Sequence, residues 1–234
     1  MRIIFVRHGH PNYEKDCLTE LGHLQAEAVA ERLKDEPIEK IYSSTNGRAY
    51  ETACHINKYF GLEIEKLGFM RELSFVKKAP GMEGSFPEIP DSYGFPWEGS
   101  DTVVSLGKSL FDEDITALPV FAKFNYPIQA EWVCSEFDGL LSSLGITREG
   151  LYYRISGNVK YKTLLIASHG GSSTAVLAHL FNLPFLFLAN ITRPHHTSVT
   201  IVDFPEGEGL ISPRLTLFND AMHIRGVGGE NTYI

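Results

Sequence analysis

The sequence predicts an α/β fold: a three-layer α/β/α sandwich with a mostly parallel central sheet and an inserted lid. Three observations carry this expectation. Strand and helix patterns alternate from the start to Leu67, the order expected when helices cover a parallel sheet. A further strand-helix pattern begins at Thr163. In both regions a buried-strand pattern ends in histidine and glycine: Ile3-Ile4-Phe5-Val6 runs into Arg7-His8-Gly9-His10, and Thr163-Leu164-Leu165-Ile166-Ala167 runs into Ser168-His169-Gly170-Gly171.

Taken in order, Ile3 to Val6 is the first strand. Leu18 to Lys34 reads as a helix, with Leu21, Leu24, Ala28 and Leu33 near helical spacing. Thr19 is its candidate N-cap, followed by acidic Glu20, and Pro37 closes the segment. Ile38 to Tyr42 is a second strand, and a helix runs from Ala49 to Tyr59 until Gly61 stops it. Glu63 to Leu67 alternates as a third strand. Ser172 to Phe181 continues helically from the second His-Gly motif, and Thr197 to Phe204 and Arg214 to Phe218 add two strands. The sheet is therefore expected to be assembled from both ends of the chain.

The middle is different. Residues 79 to about 100 hold Pro80, Pro87, Pro90 and Pro96 together with Phe86, Tyr93, Phe95 and Trp97, while 101–118 and 127–145 read as helices. A proline-rich segment with that many aromatics suggests an ordered lid. The expected organisation is one domain over residues 1–234, with an insertion at about 79–130 forming a lid over the site. The tail from Gly226 to Ile234 is expected to be loosely held.

The 234 residues carry 43% hydrophobic side chains and a net charge of −8. No stretch is long and apolar enough to span a membrane, and the start shows no signal peptide, so a cytoplasmic protein is expected. Cys17, Cys54 and Cys134 form no metal-binding or disulfide pattern. No basic stripe suits nucleic acid. In an acidic chain an anion site must gather its positive charge locally, which gives individual arginines weight. Arg7 offers a planar fork of donors suited to phosphate, and His8 beside it can act as nucleophile or proton carrier. Both stand where a strand ends, the usual ligand position of open α/β sheets. Phosphate chemistry is the first hypothesis.

Arg7-His8-Gly9, Leu18-Thr19-x-x-Gly22-x-x-Gln25-Ala26, Ser43-Ser44-x-x-x-Arg48-Ala49-x-x-Thr52-Ala53, Met70-Arg71-Glu72-Leu73 and Ser168-His169-Gly170-Gly171 follow one another in an order that resembles the histidine phosphatase superfamily, which includes cofactor-dependent phosphoglycerate mutases. The resemblance covers roughly residues 1–75 and 160–223. It implies that His8 takes up the phosphoryl group as a phosphohistidine. Arg7 and Arg48 would grip the phosphate oxygens, His169 would be a further donor, protonated beside the phosphate, and Gly170 would offer an amide at a helix start. Glu72 would protonate the leaving oxygen and then activate water. No metal or other cofactor is implied, and the expected partner is a small phosphorylated metabolite.

The chain also departs from the family. Ser74-Phe75-Val76-Lys77-Lys78 replaces the usual continuation after the acid, and Trp97-Glu98-Gly99 comes only later, so Glu98 is a reserve acid. After Arg7-His8-Gly9 the mutases carry a different stretch from His10-Pro11-Asn12-Tyr13-Glu14; Asn12 is a candidate substrate contact. This favours phosphomonoester hydrolysis, with mutase-type phosphoryl transfer and a non-catalytic phosphate-binding module as alternatives. His10 is expected at the pocket mouth, His195 and His196 on the surface, and Asn219-Asp220-x-x-His223 in a structural turn.

Overall fold

The computed structural model of the chain describes residues 1–73, 105–107, 111, 126–155, 157–207 and 209–227. Most of the expected lid, Glu98 and the last residues of the tail lie outside them.

The first half runs β1 (Arg2–Arg7), the short β2 (Pro11–Asn12) and β3 (Cys17–Leu18), α1 (Glu20–Leu33), β4 (Lys40–Ser44), α2 (Gly47–Asn57) and β5 (Ile64–Leu67). The second half runs α3 (Tyr126–Ser143), β6 (Ile146–Glu149), β7 (Tyr152–Ile155), β8 (Thr163–Ser168), α4 (Gly170–Leu180), α5 (Phe185–Ile191), β9 (Val199–Asp203), β10 (Gly209–Ile211) and β11 (Arg214–Asp220). The main sheet has the order β11-β9-β1-β8-β4-β5. β1, β8, β4 and β5 are parallel, while β9 runs against both β1 and β11. The mostly parallel sheet built from both ends of the chain is thus present.

Side-chain alternation along the strands makes the three layers. On β1, Ile3 and Phe5 face one way and join Leu164, Ile166, Val133, Phe137 and Leu141 in a core beneath α3 and α4. Ile4 and Val6 face the other way, against Leu165, Val29, Leu33, Ala53 and Ile56 of α1 and α2. Each fully buried Ile or Leu contributes about 1.5–3 kcal/mol. Strands covered on both faces read as unbroken apolar runs, which is why β1 and β8 were legible.

Local signals fixed the helix ends. The Thr19 hydroxyl accepts from the Gly22 amide at 3.1 Å, so it is the N-cap of α1. Gly61 takes φ +63 and its amide closes on the Asn57 carbonyl at 2.9 Å, ending α2. Two expectations shift. β4 starts at Lys40, because the Ile38 amide turns back to the Glu36 carbonyl at 2.8 Å. β6, β7 and β10 form a small antiparallel sheet over residues where no strand was expected. Its mixed burial leaves no clean alternation to read.

Candidate active site

Two parallel neighbours build the site. β1 and β8 pair in register with Arg7 opposite Ser168, so His8 and His169 stand together one step beyond the paired ends. The His8 amide extends the ladder to the Ser168 carbonyl at 2.9 Å. β4 lies on the other side of β8 and delivers Ser44; the next residues start α2, which carries Arg48. Three stretches separated along the chain therefore meet at one end of the sheet.

Glycines make the close approach possible. A Cβ at Gly9 would lie 2.5 Å from the Gly22 carbonyl oxygen, and one at Gly22 would lie 2.2 Å from that of His10. The loop after β1 can hug the start of α1 only without those side chains. The Gly9 amide donates to Thr52 Oγ1 at 3.1 Å and the His10 amide to Gln25 Oε1 at 2.8 Å, which explains the polar pair at Gln25 and Thr52 inside otherwise apolar helix faces.

His8 is fully buried, and its ring is set in one orientation. Nδ1 donates to the Gly9 carbonyl at 2.7 Å, which assigns the proton to that nitrogen and leaves a lone pair on Nε2. Arg48 Nε reaches Nε2 at 3.3 Å. Burial, then the His169 ring and the Arg7 and Arg48 guanidiniums, push the His8 imidazole well below its ordinary pKa. The ring is neutral at pH 7, as a nitrogen nucleophile must be.

Arg48 is itself buried and is held by Asp16, which forms an ion pair with Nη1. The other oxygen of Asp16 accepts from the Gly47 amide at 2.8 Å and from Asn46 Nδ2 at 3.1 Å. Asp16 therefore anchors both the arginine and the start of α2. It was missed in the sequence because it sits in a polar turn that shows no periodicity. Asn12 lies in the same turn: its Oδ1 accepts from the Lys15 amide at 3.1 Å. That bond uses the oxygen of Asn12 to shape the turn that presents Asp16. Tyr13 lies over Arg48, with 5.3 Å between the guanidinium carbon and the ring centre.

His169 is fully buried and lies edge-on to His8, with ring centres 5.1 Å apart. Its Nε2 meets Ser44 Oγ at 2.9 Å, while Nδ1 has no hydrogen-bond partner. Burial, then Arg48, Arg7 and Arg71, drive its pKa well down. Burial and these three guanidiniums favour the neutral ring in the absence of an anion; the protonated state was expected only beside a phosphate. Arg7 donates to the Pro194 carbonyl at 2.5 Å, but its buried Nε has no partner either. A Cβ at Gly170, the first residue of α4, would lie 3.8 Å from that Nε.

Glu72 completes the group. Its Oε1 accepts from the Gly171 amide at 2.9 Å and from the Leu73 amide at 3.1 Å, and its Oε2 lies 4.0 Å from His169 Nδ1. Gly171 leaves room for this placement: a Cβ would come within 2.6 Å of Glu72 Oε1 and push the carboxylate aside. His8, Glu72 and His169 each offer an atom within 4.8 Å of the others, a donor set that could also suit a metal ion. The two guanidiniums alongside oppose a cation and favour an anion.

His196 differs from its expected surface position. It is half-buried, with ring centres 5.9 Å from His8 and 5.4 Å from His10, and its Nδ1 is shielded from solvent without a partner. The fold returns it to the site because the loop entering β9 runs beside the end of β1. His195 is partly buried, its amide donating to Asn219 Oδ1 at 2.8 Å. Asn219 and His223 brace that loop, and Asp220 pairs with Arg32 at 2.6 Å, in keeping with a structural turn.

The buried cluster of guanidinium and imidazole groups at these strand ends has the charge and donors that suit an anion. Residues 3–109 match the family model of the histidine phosphatase superfamily (branch 1). That match spans a little under half of the chain, which is similar to this superfamily over those residues, and the solved structures below share its fold. A curated protein of Hydrogenobacter thermophilus, "Putative phosphoserine phosphatase 2", is 32% identical over 83 residues, covering 32% of this chain and 41% of its own length. The match thus spans about two fifths of that relative. A solved mycobacterial glucosyl-3-phosphoglycerate phosphatase superposes with TM-score 0.62 at 23% identity, over 93% of this chain and 98% of its own. The phosphoserine phosphatase of Entamoeba histolytica, in complex with 3-phosphoglyceric acid, gives TM-score 0.61 at 21% identity, over 95% and 98%.

Proposed function

We propose that this protein is a phosphatase that hydrolyses a small phosphomonoester through a phosphohistidine on His8. One observation carries the reading: the neutral His8 ring presents Nε2 among buried nitrogens of Arg7 and His169 that have no partner in the protein. Buried polar atoms are normally satisfied, so unsatisfied donors gathered around one nucleophile support an anion as the ligand of this site.

In the proposed reaction, the phosphoryl group settles between Arg7, Arg48, His169 and the amide end of α4. Arg48 exchanges its contact with His8 Nε2 for a phosphoryl oxygen, remaining tethered through Asp16. His8 Nε2 then forms a bond to phosphorus as the ester oxygen departs. Glu72 in its acid form gives that oxygen a proton. The resulting carboxylate takes a proton from water, which attacks phosphorus, releasing phosphate and neutral His8. Phosphoryl transfer requires chiefly positioning and charge stabilisation, and the cage supplies both without a metal. Glu72 is favoured over Glu98 as the acid because its oxygen faces His169.

The test is hydrolysis of p-nitrophenyl phosphate in EDTA, with protein quenched in alkaline denaturant and analysed for phosphohistidine. Metal-independent release with phosphate on His8, both lost in His8→Ala, supports the reading. Release with no phosphoenzyme in rapid-quench samples contradicts the covalent route. Isomerisation of phosphoglycerate that depends on 2,3-bisphosphoglycerate, without hydrolysis, would indicate a mutase instead. Phosphoserine and glucosyl-3-phosphoglycerate, named for similar proteins, are the first natural esters to try.

A further inference from the structure

We infer that His196 is a further substrate-binding residue, whose Nδ1 donates a hydrogen bond to an oxygen of the bound phosphoryl group as a third imidazole of the cage. The inference rests on the phosphatase reading and adds to it a contact from outside the motifs described above.

The first support is the unpartnered nitrogen. His196 Nδ1 is shielded from water yet meets no protein acceptor or donor, a property it shares with Arg7 Nε and His169 Nδ1. A histidine kept only for packing would be expected to spend that atom on a neighbouring carbonyl. Its ring also lies near the nucleophile, 5.9 Å from His8 between ring centres.

The second support is how firmly the loop is held. The Asn219 side chain donates to the Arg193 carbonyl at 2.9 Å and accepts from the His195 amide at 2.8 Å. Arg7 donates to the Pro194 carbonyl, and the Thr197 amide donates to the His8 carbonyl at 3.2 Å. His223 Nε2 meets Thr197 Oγ1 at 3.0 Å, and Thr197 in turn donates to the His196 carbonyl at 2.8 Å. Thr197 takes φ +53, a left-handed conformation that a β-branched residue adopts only when its surroundings impose it. Strain of this kind next to a nucleophile preorganises the neighbouring side chain. Arg7 and His196 are thereby fixed to the same short segment, one through Pro194 and the other covalently.

Burial, followed by Arg7, His10 and His195, pushes the His196 pKa down to about 3. The ring therefore enters the complex neutral, as a donor of one hydrogen bond that adds no charge to the empty site. A phosphate in the cage then supplies the acceptor that Nδ1 lacks.

The test uses the full chain and inorganic phosphate as the probe. Histidine ring nitrogens are followed by long-range proton–nitrogen correlation during a phosphate titration. The His196 resonances are assigned by their loss in the variants. In parallel, phosphate inhibition and KM for p-nitrophenyl phosphate are measured in His196→Leu and His196→Asn. The asparagine amide nitrogen falls near the position of Nδ1 and retains the donor. The expected result is a His196 shift on phosphate binding, about tenfold weaker phosphate affinity in His196→Leu, and affinity within about threefold of wild type in His196→Asn. Phosphate binding that leaves the His196 resonances in place, or equal losses in the two variants, overturns the inference while the phosphatase reading stands. The titration on unaltered protein decides the matter even if the leucine variant fails to fold. Absence of phosphate binding in the unaltered protein overturns both.

Discussion

Two polar clusters that include histidine flank the sheet, and they are built in opposite ways. At the strand ends, His8 and His169 are buried beside arginines, and Arg7, His169 and His196 retain nitrogens without partners. Beneath α4, His179 Nε2 meets Asp138 at 2.8 Å, Tyr153 reaches the same carboxylate at 3.4 Å, and Arg148 binds Tyr153 at 2.6 Å and the His179 carbonyl at 3.1 Å. The second cluster spends its donors on α3, β7 and the end of α4. Residue types alone would make either a catalytic candidate. The difference lies in satisfaction: a completed network staples elements together, whereas an incomplete one awaits a ligand.

Mutations can break this contrast directly. The largest effect is expected from His8→Ala, which should cut turnover of every phosphomonoester by about 10³ or more without unfolding the protein, because no other imidazole nitrogen is oriented to replace Nε2. Next, Glu72→Gln should slow esters of alkyl alcohols by about 10²-fold but p-nitrophenyl phosphate far less, since that leaving group scarcely needs a proton. Equal losses on both substrates would move the acid elsewhere. Gly171→Ala should reproduce the pattern in weaker form, because the added Cβ displaces Glu72 Oε1.

In the satisfied cluster the outcome should reverse. Asp138→Ala should lower stability by about 1–3 kcal/mol, read as a lower midpoint in urea, with kcat/KM within about twofold. A large loss of activity with unchanged stability would erase the distinction drawn between the two clusters.

The smallest effect concerns pH. His8, His169, His196 and His223 all have folded pKa values depressed by burial, with His223 brought to about 4. Below the unfolded value of about 6.5 the unfolded chain binds more protons than the native one. Their neutral burial is therefore least costly above pH 6.5, and stability is lost as pH falls through 6.5 toward the folded values. Melting temperature should drop between pH 6.5 and 5, and added phosphate should offset the drop by binding only the folded form. A flat profile would argue that these rings are not held neutral.

The sequence made part of this visible. β1 and β8 are apolar on both faces, so their ends were easy to place, and each end carried its His-Gly motif. The Thr19 cap and the Gly61 stop are local chemistry and were equally plain. What stayed hidden depended on tertiary return. Nothing in the turn around Asp16 announces that it will hold Arg48, because that pairing needs the start of α2 to come back beside the turn between β2 and β3. His196 reads as a surface residue after Pro194 until β9 lays its loop against His8. Asn12 looked available for substrate, and its side chain also closes a turn by accepting from an amide only three residues away. β6, β7 and β10 lacked the alternation that would have revealed a sheet.

The most direct test of the account is the covalent one. Rapid quench of the protein in alkaline denaturant during hydrolysis of p-nitrophenyl phosphate in EDTA, followed by peptide mapping at alkaline pH, should recover phosphate on His8 Nε2. Vigorous turnover with no phosphate on His8 at any quench time would contradict it.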